Sequence, residues 1–189
     1  MQSLRHDARG ATLIEFAILL PVLMALLMGL MDIAYQAYIQ AVLEGAVQKA
    51  GRDATIEAAD TGTIDSRVVT SIRRVAGNAT VTPSRLSYAS FGTIKPESFT
   101  DTNGNSRYDA GECFTDINGN GRWDSDPGIA GQGNASDVTV YKVTVSYLRL
   151  FPVAGLIGWS NQVTLSASTR FKNQPYSTQS VPTQQVLCK

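Results

Sequence analysis

The hydrophobic pattern divides the chain into three unlike stretches. From Ala11 to Met31 nearly every position is apolar, interrupted by Glu15 and Pro21. As a helix rising ~1.5 Å per residue, that run spans about 31 Å, close to the hydrocarbon thickness of a bilayer. A membrane-spanning helix is therefore predicted over 11–32. In the second stretch, 33–58, Gln36, Gln40, Glu44, Gln48 and Arg52 recur at every fourth position. They draw one polar stripe along a helix that continues to about Thr55. Its other positions, Tyr35, Tyr38, Ile39, Leu43, Val47 and Ala50 among them, are apolar or small, so the helix should be largely buried, against its own head and against neighbouring helices.

The third stretch, 59–189, reads as an external head. After a break at Asp60–Thr63, the pattern of 65–77 is that of a short amphipathic helix capped by Asp65 or Ser66 and stopped by Gly77. Its arginines, Arg67, Arg73 and Arg74, form a solvated face. Alternation of period two then takes over. It is weak over Leu86–Phe91 and strong over Val138–Leu148, where Tyr141, Val143, Val145 and Tyr147 share one face, and over Val163–Phe171. The two long strands can pair antiparallel. The expected fold class is α+β, a long N-terminal helix packed on a small antiparallel sheet. The apolar link Phe151–Trp159 is expected to fold onto the core, with contact to a partner or the membrane surface as the alternative.

Composition narrows the functional classes. Sixteen acidic and sixteen basic residues leave no excess charge to attract nucleic acid. The only histidine is His6, near the start, and neither a phosphate-binding glycine loop nor Cys/His zinc spacing is present. A structural or binding protein is expected, not an enzyme.

Arg5, His6 and Arg9 precede the apolar run and, by the positive-inside bias, would stay in the cytoplasm while the head lies in the periplasm. The run is longer than the apolar region of a secretory signal and no small-x-small cleavage site ends it. Glu15 needs a reason, since an unpaired carboxylate within a bilayer costs at least ~2.5 kcal/mol. Residues Arg9-Gly10-Ala11-Thr12-Leu13-Ile14-Glu15-Phe16, continuing through Pro21 to Gly29, Asp32 and Tyr35, resemble the start of TadE-like proteins, the minor pilins or pseudopilins of tight-adherence (Tad, Flp) type IV pilus systems. The resemblance covers roughly 9–52. It implies a leader, 1–10, removed by a prepilin peptidase between Gly10 and Ala11, with Glu15 as the fifth mature residue, next to Phe16. It also implies partners: other pilin subunits met through the N-terminal helix, the inner-membrane assembly platform and membrane lipid. An uncleaved, membrane-anchored calcium-binding adhesive module is the alternative.

The segment 101–127 carries the most pointed chemistry. Asp101, Asn103, Asn105, Arg107, Asp109 and Glu112 stand at positions 1, 3, 5, 7, 9 and 12 of a loop, the spacing at which side-chain oxygens and one backbone carbonyl wrap Ca²⁺. Ser106 stands where glycine is usual. A near copy follows at an offset of about 15 residues, with Asp116, Asn118, Asn120, Arg122 and Asp124. It keeps its glycine, Gly121, but has Pro127 in place of the closing glutamate, so that ligand is expected from Asp124, Asp126 or the neighbouring loop. The pair resembles the tandem calcium loops of dockerin-like and other extracellular bacterial modules; one or two ions are expected. Two Asn-Gly turns are the plainer reading. Cys113, beside Glu112, and the penultimate Cys188 are expected to form a disulfide that pins the polar tail, 174–189, to these loops, with two free thiols as the alternative.

Overall fold

In the computed structural model the described residues are 8–56, 59–151, 155, 158–176 and 178–188, with side chains from Thr12 onward. Helix α1 (Ala8–Ala54) carries Pro21 within it and runs for 47 residues, spanning both the predicted membrane segment and its continuation. Only its second half meets the head. There Ile39, Leu43, Val47, Ala50 and Ala54 recur at three- and four-residue spacing and are all buried. Tyr38, on the opposite side, is exposed, so the head covers one face of this half.

Helix α2 (Thr61–Val75) lies against α1 through Ile64, Val68 and Ile72, which are one turn apart and buried. It begins a turn earlier than expected because Asp60 is the cap: its Oδ1 accepts the backbone N–H groups of Gly62 and Thr63 at 3.0 and 3.2 Å. The Thr63 hydroxyl and those amides hold the Asp60 carboxyl below the usual carboxylate range. Asp65, the predicted cap, instead receives a bidentate Arg85 at 2.6 and 2.7 Å and the Tyr141 hydroxyl at 2.7 Å, which ties α2 to the sheet. Burial, then the bond to Asp65, raises the pKa of that hydroxyl.

The main sheet is antiparallel in the order β3–β1–β4–β5, built from β1 (Thr80–Tyr88), β3 (Ile129–Ala130), β4 (Val138–Leu148) and β5 (Gln162–Lys172). The predicted pairing of the two long strands is present, with Tyr147 opposite Val163 and Val143 opposite Ala167. Tyr141, Val143, Val145 and Tyr147 point at α1 and α2 and complete the core. Strand β1 starts six residues before its sequence signal, Leu86–Phe91, and ends at Tyr88, since Phe91–Thr93 forms a 3-10 turn. Pro83 sits where β3 does not reach, since β3 pairs only with Leu86 and Ser87, so its missing N–H costs the ladder nothing. A second, two-stranded sheet joins β2 (Cys113–Asp116) to β6 (Gln185–Cys188), and Cys113 and Cys188 face each other across it in a disulfide.

At Gly51 α1 comes so close to β5 that a Cβ there would lie 2.7 Å from Thr169 Cγ2 and 3.4 Å from Phe171 Cδ1. Gly51→Leu is therefore expected to push the helix off the sheet and cost about 2 kcal/mol, despite leucine's better helix propensity. Urea unfolding of the head would read this as a lower midpoint at an unchanged slope.

Candidate functional site

Two regions draw attention, one on α1 and one at the far side of the head. Along α1 the helix continues unbroken through Gly10 and Ala11, while Arg5 and His6 lie outside the described residues. From Thr12 on, the membrane-length part of α1 is bare. Leu13, Ile14, Phe16, Ile18, Leu19, Val22, Leu26 and Leu30 are each 60–72 % exposed, and none of its most apolar window is buried by the head. Glu15 stands exposed among them. A helix this long and apolar can cross a membrane, and so large an uncovered apolar surface is not stable in water.

The bare part ends at Asp32, which is 8 % exposed. Its carboxylate is paired with the Arg149 guanidinium and accepts the Leu150 N–H at 3.3 Å. Beside it Tyr35 meets Tyr147 edge to face, with 5.9 Å between ring centroids, and donates its hydroxyl to Val75 O at 2.7 Å. The head is thus fastened to the helix where the apolar run stops.

The two Asp/Asn loops fold as copies. In the first, Asp101 accepts three N–H groups, those of Gly104, Asn105 and Ser106, at 2.7–3.2 Å. In the second, Asp116 accepts the equivalent Gly119, Asn120 and Gly121 at 2.7–3.2 Å. Asn103 and Asn105 both donate their amide to Asp109 Oδ2 at 2.7 Å, as Asn118 and Asn120 do to Asp124. Those donors hold the Asp109 carboxyl below its ordinary range. Arg107 and Arg122 give their N–H groups to Asn105 and Asn120, both at 2.8 Å. Ser106 adopts φ 60°, close to the 75° of Gly121, so serine takes the left-handed turn that glycine makes without strain.

The likeness extends to the closing carboxylate, which sequence spacing located in the first loop, at Glu112, but not in the second. Glu112 accepts the N–H of Thr102 on one oxygen at 2.8 Å and that of Asp109 on the other at 3.0 Å. In the second loop the equivalent N–H groups, Ile117 and Asp124, go to the two oxygens of Glu97 at 2.7 and 2.9 Å. Glu97 precedes both loops, so no search forward from Asp116 would find it. Its distance from the spacing pattern hides a role that the fold restores. Asp126, a candidate by position, accepts the Tyr88 hydroxyl at 2.6 Å instead. Burial first, then Asp126, raises the pKa of that hydroxyl.

A small aromatic core holds the loops together. Tyr108 and Trp123 stack at 4.9 Å, Phe99 packs edge-on against both and Phe114 against Tyr108, and the Trp123 indole N–H donates to Glu97 O at 2.9 Å. Glu97, Glu112 and Asp116 are 1 %, 6 % and 3 % exposed, yet among the described residues no lysine or arginine pairs with any of them. Among the described residues no three His, Cys, Asp or Glu side chains converge as a metal cage. The remaining donors at each loop are asparagine amides, which present nitrogen to Asp109 and Asp124. Rotating such an amide by half a turn exchanges that nitrogen for an oxygen.

A family model described as TadE-like protein matches residues 10–52. No curated protein and no solved structure matches the chain.

Proposed function

With a TadE-like segment over residues 10–52 as the premise, we propose that this chain is a membrane-anchored minor pilin or pseudopilin of a Tad-type pilus, cut after Gly10 and carrying a calcium-stabilised head. The observation that carries the reading is the bare apolar half of α1 with Glu15 on it. Such a surface has to be covered by lipid or by other helices, and a carboxylate within it is tolerable only when a partner neutralises it. Cleavage at Gly10 creates that partner. The new ammonium of Ala11 in one subunit can pair with Glu15 of the next. The chain then serves as a structural subunit held at the inner membrane with its head in the periplasm, and no step of the reading requires catalysis.

Processing is checked by mass spectrometry of the protein from cells with and without the prepilin peptidase. Residues 1–10 should be missing only where the peptidase is present. An intact Met1 in both strains would leave an uncleaved, membrane-anchored calcium-binding adhesive module. Glu15→Ala is expected to insert into the membrane normally while the protein's incorporation into pili falls at least tenfold; undiminished incorporation would rule out the pairing.

Calcium is supported by the chemistry of the loops. Each offers carboxylate and amide oxygens, with a carboxylate that reaches the loop from a buried position: Glu112 in the first, Glu97 in the second. Buried carboxylates without cationic partners are costly unless an ion compensates them. Asp101, Asn103, Asn105, Asp109 and Glu112, with the Arg107 carbonyl, would hold one ion. Asp116, Asn118, Asn120, Asp124 and Glu97, with the Arg122 carbonyl, would hold another. Bound only by the folded head, the ions would add to its stability.

A further inference from the structure

The geometry points to a second membrane contact, made where β4 ends and β5 begins, by Leu148, Leu150 and Trp159 dipping into the outer headgroup layer of the same bilayer that α1 crosses. This rests on the reading of α1 as a membrane anchor. Strand β4 runs back along α1 toward the bilayer: Tyr147 packs on Tyr35, and Arg149 and Leu150 reach Asp32, the first residue beyond the apolar run. The start of β5 is fixed to the same place, since Arg149 donates its N–H to Asn161 O at 2.8 Å and its Nε–H to Ser160 O at 3.1 Å. Leu148, Leu150 and Trp159, next to the residues that make these bonds, therefore lie near the level where α1 leaves the hydrocarbon.

At that level Leu148 is 70 % exposed, Leu150 55 % and Trp159 65 %. Of the apolar link 151–159 that the sequence favoured folding onto the core, residues 152–154, 156 and 157 lie outside the described residues, and Trp159 is exposed. Lipid headgroups at that level would cover these side chains, and tryptophan is the residue most at home at a bilayer interface. Attachment at two points fixes how the head sits on the membrane, where a lone helix would leave it free to swing. Leaving the membrane for a filament then requires lifting these side chains out of the headgroups as well as extracting α1.

Trp159 reports on this directly, because the only other tryptophan is Trp123. The full chain with Trp123→Phe, placed at one copy per nanodisc of phosphatidylcholine and phosphatidylglycerol, should show Trp159 emission shifted to the blue by about 10 nm from that of water-exposed tryptophan. Lipids brominated near the carbonyl should quench it at least twofold, and more than lipids brominated near the chain end. If Trp123→Phe does not fold, the difference spectrum between the unsubstituted chain and Trp159→Phe gives the same quantity. Unquenched, water-like emission from a chain that floats with the lipid would overturn the second contact while leaving the anchor intact. Failure to float would instead overturn the anchor reading. A shift seen only with two or more copies per disc would assign the surface to a second subunit and likewise overturn the proposal.

Discussion

Cys188→Ser is expected to lower the stability of the head by about 4 kcal/mol, the largest effect of any single change outside the core. The bridge to Cys113 closes a separation of 75 residues, and in the loop-entropy picture a ring of that size restricts the unfolded chain by this amount. The folded state loses as well. Strand β6 is only four residues long and carries no buried side chain, so the register of Phe114 with Leu187 and Thr115 with Val186 depends on the bond at its end. Cys113 also directly follows Glu112, whose two oxygens close the first loop, so freeing it should loosen that loop. Urea unfolding of the detergent-solubilised chain, with and without reductant, measures the difference. The substituted chain should match the reduced one, and a midpoint unchanged by reductant would show that the tail is held by its other contacts, such as Gln179 with Asp137 and Ala89.

The parts of this molecule that could be read from its sequence are those where one residue type acts through its immediate neighbours. The long apolar run, the period-two alternation of β4 and β5 and the repeated Asp/Asn spacing are all local patterns, and each has its structural counterpart. The α+β arrangement follows from them, because an amphipathic helix and half-buried strands have few ways to share one core. The elements that escaped depend on distant partners. Strand β1 is rich in serine and threonine and contains proline, and it is a strand because β4 is beside it. The cap at Asp60 outcompeted Asp65 because Arg85, twenty residues on, claims the latter. Asp32 read as the end of a hydrophobic run, and only the fold shows that Arg149 waits for it. The same limit applies at the loops: the spacing that runs from Asp101 to Glu112 is local, whereas the second loop's closing carboxylate was sought at Asp124, Asp126 or the neighbouring loop, and Glu97, which precedes both loops, lay outside that search.

That carboxylate makes the sharpest test of the metal reading. Glu97→Gln is expected to abolish the calcium-dependent stabilisation contributed by the second loop and leave that of the first. The substitution keeps size and one acceptor oxygen, so it preserves the bond from Ile117 or that from Asp124 but removes the charge that would face the ion. At a calcium concentration about 100 times the dissociation constant, a site adds about 2.7 kcal/mol. Thermal unfolding with calcium and with chelator should therefore show a large gap for the unsubstituted chain, roughly half that gap for Glu97→Gln or Glu112→Gln, and none for the double substitution. Without calcium the order should reverse for Glu97→Gln, since a buried carboxylate with no cation beside it is replaced by a neutral amide. That crossing of sign separates a ligand from a residue that only braces the loop, which would destabilise the head equally in both conditions. Equal midpoints with calcium and chelator in the unsubstituted chain would sink the metal reading altogether, leaving two Asn-Gly turns closed by buried glutamates.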